Sequence, residues 1–162
     1  MVAAGIALAA CGFQPLYGSR ADGPHIQSEL DDTFIRPVDQ RVGQILRNDM
    51  LDLITPLGEP ARPRYVLNVE MVESKEGLAL ERDATVTRFN LTLTANYDLQ
   101  DARTGEGLNA GTVRATAAYN VLRNEFSNVS AERDAEARAA RVVAEEIKTR
   151  LSIYFARRRG AP

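Results

Sequence analysis

The sequence predicts an α+β protein in which two helices pack on one face of a four-stranded, mostly antiparallel sheet, a two-layer sandwich. Apolar residues recur at three- and four-residue steps in two segments and alternate with polar residues in three others. The order of these segments is strand, helix, three strands and helix. With 162 residues, 44% of them hydrophobic, the chain is long enough for one domain with a buried core.

The first predicted elements are a short strand over residues 33–36 and the helix that follows it. Pro37 closes the strand, and Asp39 is a suitable N-cap for the helix. Gly58 and Pro60 end this helix. Its apolar stripe comprises Val38, Val42, Ile45, Leu46, Met50, Leu53, Ile54 and Leu57.

Three strands with period-two alternation come next, and they predict an antiparallel meander. The turn between the second and third of them is residues 101–107, which are rich in Gly, Asp and Thr. The inward-facing residues are Tyr65, Leu67, Val69 and Met71 on the first; Phe89, Leu91, Leu93, Ala95, Tyr97 and Leu99 on the second; and Val113, Ala115, Ala117, Tyr119 and Val121 on the third.

A long final helix is predicted from an N-cap at Ser130 to about Arg157, since Glu132 and Asp134 suit its first turn. Its apolar row comprises Ala135, Ala139, Val143, Ile147, Leu151 and Tyr154. This helix and the earlier one together cover one face of the sheet.

The other face of the sheet is rich in threonine and asparagine. Its predicted residues are Arg88, Asn90, Thr92, Thr94, Asn96, Thr112, Arg114, Thr116 and Asn120. A solvated sheet usually carries more charge, so the low charge of this face favours docking against another protein. The alternative is that threonine is present because it favours strands.

Cys11 is the only cysteine in the sequence, which excludes a disulfide framework. Residues 1–10 are uncharged and too short to cross a bilayer, so they are interpreted as the apolar part of a lipoprotein signal peptide. Leu8-Ala9-Ala10-Cys11 resembles the lipobox, in which the cysteine is acylated. We therefore expect Cys11 to be the lipidated N-terminus of the mature protein, rather than a buried free cysteine.

These boundaries divide the chain into a signal peptide, a lipidated tether at 11–24, a domain at 25–158 and a tail at 159–162. A signal peptide normally starts with positive charges, and Met1 is followed at once by apolar residues. We therefore expect the true start to lie upstream. Gly12, in place of an aspartate, favours sorting to the outer membrane, with the domain on its periplasmic side.

The sequence offers few residues for catalysis. His25 is the only histidine, and neither a GxSxG motif nor a phosphate-binding glycine loop is present. We therefore expect no catalytic residues, no metal site and no cofactor. The formal net charge of -2 also argues against nucleic acid as a partner.

Arginines are the best candidates for binding a ligand, because the guanidinium group grips phosphate well. Arg82 lies at the predicted turn into the long central strand, Arg88 lies further along that strand, and Arg114 lies on the next one. The run at 157–159 is interpreted instead as a solvated helix end.

Two stretches of sequence resemble the LptE family in its alphaproteobacterial form. They are residues 8–18 (LAACGFQPLYG) and residues 41–48 (RVGQILRN), which open the first predicted helix. The order of elements fits the same family across nearly the whole chain.

The resemblance implies a non-enzymatic outer-membrane lipoprotein that plugs the LptD β-barrel as a heterodimer, helps to assemble it and contacts lipopolysaccharide. The family's lipopolysaccharide-binding arginine matches Arg82. A second basic position falls on Asn128, with Arg123 and Arg133 nearby as substitutes. The alternatives are a lipoprotein module that binds another envelope protein or amphiphile, and a periplasmic hydrolase that depends on His25.

Overall fold

A computed structural model describes residues 23–80, 86–121 and 124–160 of the chain. It confirms the α+β fold: one four-stranded sheet packs against helices that cover one of its faces. The elements are α1 (Gly23–Asp31), β1 (Thr33–Ile35), α2 (Arg41–Ile54), β2 (Tyr65–Leu80), β3 (Val86–Asp101), β4 (Gly107–Asn120) and α3 (Glu125–Gly160). No helix in the described ranges combines the length and hydrophobicity needed to cross a membrane.

The strands lie in the order β1-β2-β3-β4, and the sheet is mixed. β1 pairs in parallel with the start of β2, from Thr33 opposite Tyr65 to Ile35 opposite Leu67. The pairs β2–β3 and β3–β4 are antiparallel, as the meander predicted. The parallel pair follows from the connection, because α2 carries the chain back to the starting end of the sheet.

The core lies between the helices and the odd-numbered positions of the strands, as the alternation predicted. Leu67, Leu91, Leu93, Ala95 and Leu99 are fully buried. The helices contribute Leu46, Met50, Ile54, Ala140, Val143, Ile147, Leu151 and Phe155. In the last turns of α3, Phe155 is buried and Tyr154 only half-buried, so the predicted row is displaced by one residue.

The short helix α1 was not predicted, because its Gly and Pro residues were assigned to a tether. Pro24 lies in the first turn, where its missing N–H leaves no hydrogen bond unmade. Ile26 and Leu30 are buried in the core. The helix α1 therefore begins at Gly23, at the end of the segment that was interpreted as a tether.

The predicted limits of α2 were wrong at both ends. The helix begins at Arg41 and is preceded by Gln40, which has a positive φ of 68° and makes no side-chain cap, so Asp39 is not the N-cap. Val38 packs closely on Gly43: a Cβ atom added to Gly43 would lie only 2.7 Å from the Cγ1 atom of Val38. Leu57 lies beyond the helix and is 89% exposed, so it is not part of the apolar stripe.

The start of α3 was also predicted wrongly. The helix begins at Glu125, and Asn124 caps it by accepting hydrogen bonds from the backbone N–H groups of Phe126 (3.0 Å) and Ser127 (3.4 Å). Ser130, the predicted N-cap, lies inside the helix. Phe126 and Val129 are exposed, so no apolar periodicity marks these first turns.

Candidate functional site

The candidate site is the sheet face that the helices leave uncovered, which we call the polar sheet face. Its positions on β3 and β4 are exposed or half-buried, as predicted. They are Arg88, Asn90, Thr92, Thr94, Asn96, Thr112, Arg114, Thr116 and Asn120. The observed register places these residues directly opposite one another in four cross-strand pairs, and Asn90 lies opposite Ala118.

Three of these cross-strand pairs are joined by side-chain hydrogen bonds. The hydroxyl oxygens of Thr92 and Thr116 lie 2.9 Å apart. The Thr112 hydroxyl donates to Asn96 Oδ1 at 2.7 Å, and Arg114 Nε donates to Thr94 Oγ1 at 3.3 Å. The face is therefore a grid of short polar side chains that already satisfy part of one another's hydrogen-bonding capacity.

β2 extends the polar sheet face with a different composition. Glu70, Val72, Ser74 and Glu76 alternate along its exposed side. Val72 is 63% exposed and lies opposite Thr94. On β3 and β4 the face is therefore mostly threonine and asparagine with two arginines, whereas on β2 it is acidic around an exposed apolar residue.

The predicted arginines do not meet at one point. Arg88 and Arg114 are both exposed on the polar sheet face. Arg114 lies opposite Thr94, six residues along β3 from Arg88, which corresponds to about 20 Å. The two side chains cannot grip a single phosphate, although both remain available to an extended ligand.

Several predicted positions lie outside the described residues, namely Cys11, Arg82 and Arg123. Asn128 lies in the second turn of α3, and Arg133 is exposed one turn later. In the sequence, Arg82 falls between the end of β2 at Leu80 and the start of β3 at Val86. Its ligand contact remains a prediction.

On the helix-covered side, Glu73, Glu132 and Glu136 bring carboxylate oxygens within 4.8 Å of one another. Lys75 forms ion pairs with Glu73 and Glu132, and Arg41 pairs with Glu136. The hydrogen bond to Glu132 is the main cause that raises the pKa of Lys75. Each carboxylate has a cationic partner, so the cluster is interpreted as an ion-pair network that joins β2, α2 and α3.

The sequence analysis missed two arginines that contact the sheet edge. Arg138 donates to the carbonyl of Ala118 at 3.1 Å, and Arg150 donates to the carbonyl of Thr112 at 3.1 Å. An ion pair with Glu146 orients Arg150 and raises its pKa further. The spacing of residues along α3 does not predict these contacts, because they depend on how α3 lies across β4.

A groove of about 470 Å³ lies beside β2, where the chain leaves β1. One wall is the segment from Arg36 to Gln40, and the other is Asn68 to Met71. Both polar groups and apolar side chains line it. Its position at a sheet edge distinguishes it from the polar sheet face.

Comparison with solved structures shows the same fold in several bacterial proteins. A Caulobacter crescentus CB15 protein superposes with a TM-score of 0.68 at 22% identity, covering 82% of this chain and 97% of that one. A minor lipoprotein from Acinetobacter baumannii has a TM-score of 0.61 at 19% identity, with 75% and 91% covered. Lipoprotein B from Nitrosomonas europaea has a TM-score of 0.58 at 16% identity, with 76% and 83% covered.

No curated protein sequence matches the chain. The profile of the LptE family, described as lipopolysaccharide-assembly, matches residues 27–151, which include α2, the whole sheet and most of α3. The match covers most of the chain and confirms the resemblance carried by the sequence motifs. The chain therefore belongs to the LptE family of lipopolysaccharide-assembly proteins.

Proposed function

We propose that this protein is a non-enzymatic lipoprotein of the outer membrane that plugs an LptD-like β-barrel, helps it to assemble and assists lipopolysaccharide transport to the outer leaflet. Its LptE family membership supports the role in lipopolysaccharide assembly. The observation that carries the finer proposal is the composition and geometry of the polar sheet face.

The interior of a transmembrane β-barrel is polar, so a plug needs a polar surface with few uncompensated charges. On β3 and β4, threonine and asparagine side chains already bond across the strands. Short side chains held by such bonds lose little rotamer freedom when a partner covers them. The polar sheet face is therefore suited to broad contact with a barrel wall.

Cys11 is the proposed membrane anchor, with residues 1–10 removed as a signal peptide and residues 11–24 acting as the lipidated tether. A single acyl chain gives only marginal membrane binding, whereas two or more anchor a protein stably. The anchor would hold the domain of residues 25–158 beside the periplasmic side of the barrel.

Lipopolysaccharide is the proposed ligand, and Arg82, Arg88 and Arg114 are its proposed contacts. Arg88 and Arg114 are exposed on the polar sheet face at opposite ends of a stretch of about 20 Å. Such spacing suits separate phosphate groups of one large glycolipid or of neighbouring molecules.

The test is an affinity purification of the tagged, membrane-extracted protein from its own envelope. We expect a near-stoichiometric outer-membrane barrel to remain bound after a high-salt wash. Thr116→Arg places a long cation at the centre of the polar sheet face and should abolish recovery of the barrel. Ala102→Arg, in the exposed turn after β3, is the matched control and should leave recovery unchanged.

Circular dichroism must show that both variants are folded. A clean monomer from the unmodified protein would contradict the plug proposal and favour a lipoprotein module with another envelope ligand. Recovery of the barrel with Thr116→Arg would show that a different surface makes the contact.

A further inference from the structure

The two edges of the sheet differ in how far other elements of the fold cover them. At β4, the guanidinium groups of Arg138 and Arg150 donate to the carbonyls of Ala118 and Thr112. Charged side chains along an edge strand discourage the addition of another strand. The helix α3 therefore protects the β4 edge along much of its length.

The edge at β2 is only partly covered by its neighbouring strand, and the charged side chains of Glu73 and Lys75 are held in ion pairs on the helix-covered side. β1 covers only Tyr65 to Leu67, whereas β2 continues to Leu80. Most of β2 therefore has no neighbour on this side in the described sheet.

The direction of the free backbone groups follows from the pairing. The carbonyl of Leu67 accepts a hydrogen bond of 3.0 Å from the Arg36 N–H, so it points outward. Alternate residues of a strand repeat this direction, which places the N–H and C=O groups of 69, 71, 73 and 75 outward as well. The groove of about 470 Å³ opens at the first two of these positions.

The side chains along this edge define the chemistry of an added strand. On the polar sheet face, Glu70 and Glu76 are exposed, and Val72 between them is 63% exposed. Across strands, opposite charges attract and apolar residues prefer apolar neighbours. The complementary strand carries basic residues opposite the two glutamates and an apolar residue opposite Val72.

We propose that the β2 edge from Val69 to Lys75 is a docking site for an extended segment of a partner protein, which adds a fifth strand whose side chains on the uncovered face are basic opposite Glu70 and Glu76 and apolar opposite Val72. Backbone hydrogen bonds supply affinity in this mode, and the alternating side chains supply specificity. The backbone groups of this edge point sideways out of the sheet, in the plane of the strands, so strand addition does not require that the polar sheet face contacts a barrel.

A second copy of the chain is a poorer occupant. A symmetric antiparallel pair centred on Val72, the middle of this edge, places Glu70 opposite Ser74, and a pair centred on Glu73 places Glu70 opposite Glu76, so neither register supplies a cation to Glu70. Like charges directly opposite one another destabilise a strand pair. The acidic ends of the edge therefore select a basic partner over a copy of the same chain.

Hydrogen exchange of the isotopically labelled full chain tests the proposal amide by amide. In the free protein we expect fast exchange at Met71, Glu73 and Lys75, and slow exchange at Val72 and Ser74, whose N–H groups face β3. The probe is a short synthetic peptide, used at millimolar concentration, whose side chains on one face are in turn lysine, valine, threonine and lysine, with threonine at the positions between them. It should slow the fast amides roughly tenfold or more. No slowing at that concentration would overturn the proposal.

Two controls separate strand addition from other binding. A peptide of the same sequence with N-methylated backbone amides keeps its side chains but cannot pair, and it should protect nothing. Glu70→Lys with Glu76→Lys should weaken binding of the unmodified peptide roughly tenfold, whereas Glu106→Lys, exposed in the turn before β4, should leave it unchanged. Equal protection by the methylated peptide, or equal binding by the double variant, would refute the proposal.

Discussion

At the scale of single residues, burial separates leucines that stabilise the fold from those that do not. Leu46, in the middle of α2, is fully buried, whereas Leu57, just beyond the helix, is 89% exposed. Sequence periodicity placed both in one apolar stripe, because alternation and helical spacing do not reveal where a helix ends.

Leu46→Ala should lower the free energy of unfolding by about 2–5 kcal/mol, because it removes buried methyl groups and leaves a cavity. The matched change Leu57→Ala should alter it by less than about 0.5 kcal/mol, since the side chain is already in water. Urea denaturation followed by circular dichroism measures both. Equal losses in the two variants would contradict the burial of Leu46.

Tyr65 gives a prediction about pH. Its hydroxyl donates to Glu29 at 2.6 Å, and burial, with this hydrogen bond, raises the pKa of Tyr65 to about 12. A raised pKa means that the folded state holds the proton more tightly than the unfolded state. The resulting stabilisation is complete below the ordinary value of 10.0 and is lost as pH rises through about 12.

Tyr65→Phe should therefore cost about 1 kcal/mol at neutral pH, where the hydrogen bond is intact. The free energy of unfolding of the unmodified protein should fall above the ordinary tyrosine pKa, and the variant should lose less of its stability over that window. Urea unfolding across a series of alkaline pH values tests this. Identical slopes for the two proteins would show that Tyr65 is not the group responsible.

At the scale of elements, the interiors of helices and strands could be predicted and their ends could not. Alternation identified the buried faces of β2, β3 and β4 correctly, since one face of each packs on the helices. The ends depend on contacts that are remote in sequence. Val38 packed on Gly43 accompanies the start of α2, and the burial of Ile26 and Leu30 supports α1.

Substitutions at the N-terminus of α3 test where that helix begins. Asn124→Ala should cost about 1 kcal/mol, because the Phe126 and Ser127 N–H groups would lose their side-chain acceptor. Ser130→Ala, at the cap predicted from the sequence, should be nearly neutral because Ser130 is exposed inside the helix. Hydrogen exchange of the first turn should accelerate in the Asn124 variant alone. Acceleration in the Ser130 variant alone would place the cap where the sequence first indicated.

At the scale of the whole molecule, the sequence defined the polar sheet face but not the arrangement around it. Threonine and asparagine at even positions of β3 and β4 predicted that face correctly. The parallel pairing of β1, the unpaired edge of β2 and the arginines over β4 were missed. Periodicity determines which way a residue faces and carries no information about which strand or helix lies beside it.

The charge of the whole chain limits how it can bind lipopolysaccharide, which is polyanionic. A formal net charge of -2 provides no long-range attraction for such a ligand, so binding must depend on local arginines. Arg88→Ala and Arg114→Ala should each weaken binding of purified lipopolysaccharide roughly tenfold, the loss of one charge-assisted contact. Arg103→Ala, in the exposed turn after β3, should have no effect.

Titration calorimetry at low and high salt distinguishes these contacts from acyl-chain binding. Because the two arginines are exposed, salt should weaken binding by the unmodified protein and reduce the difference between it and the variants. Affinity that is independent of salt and unchanged in both variants would place lipopolysaccharide recognition away from the polar sheet face. Arg82 would then be the next residue to substitute.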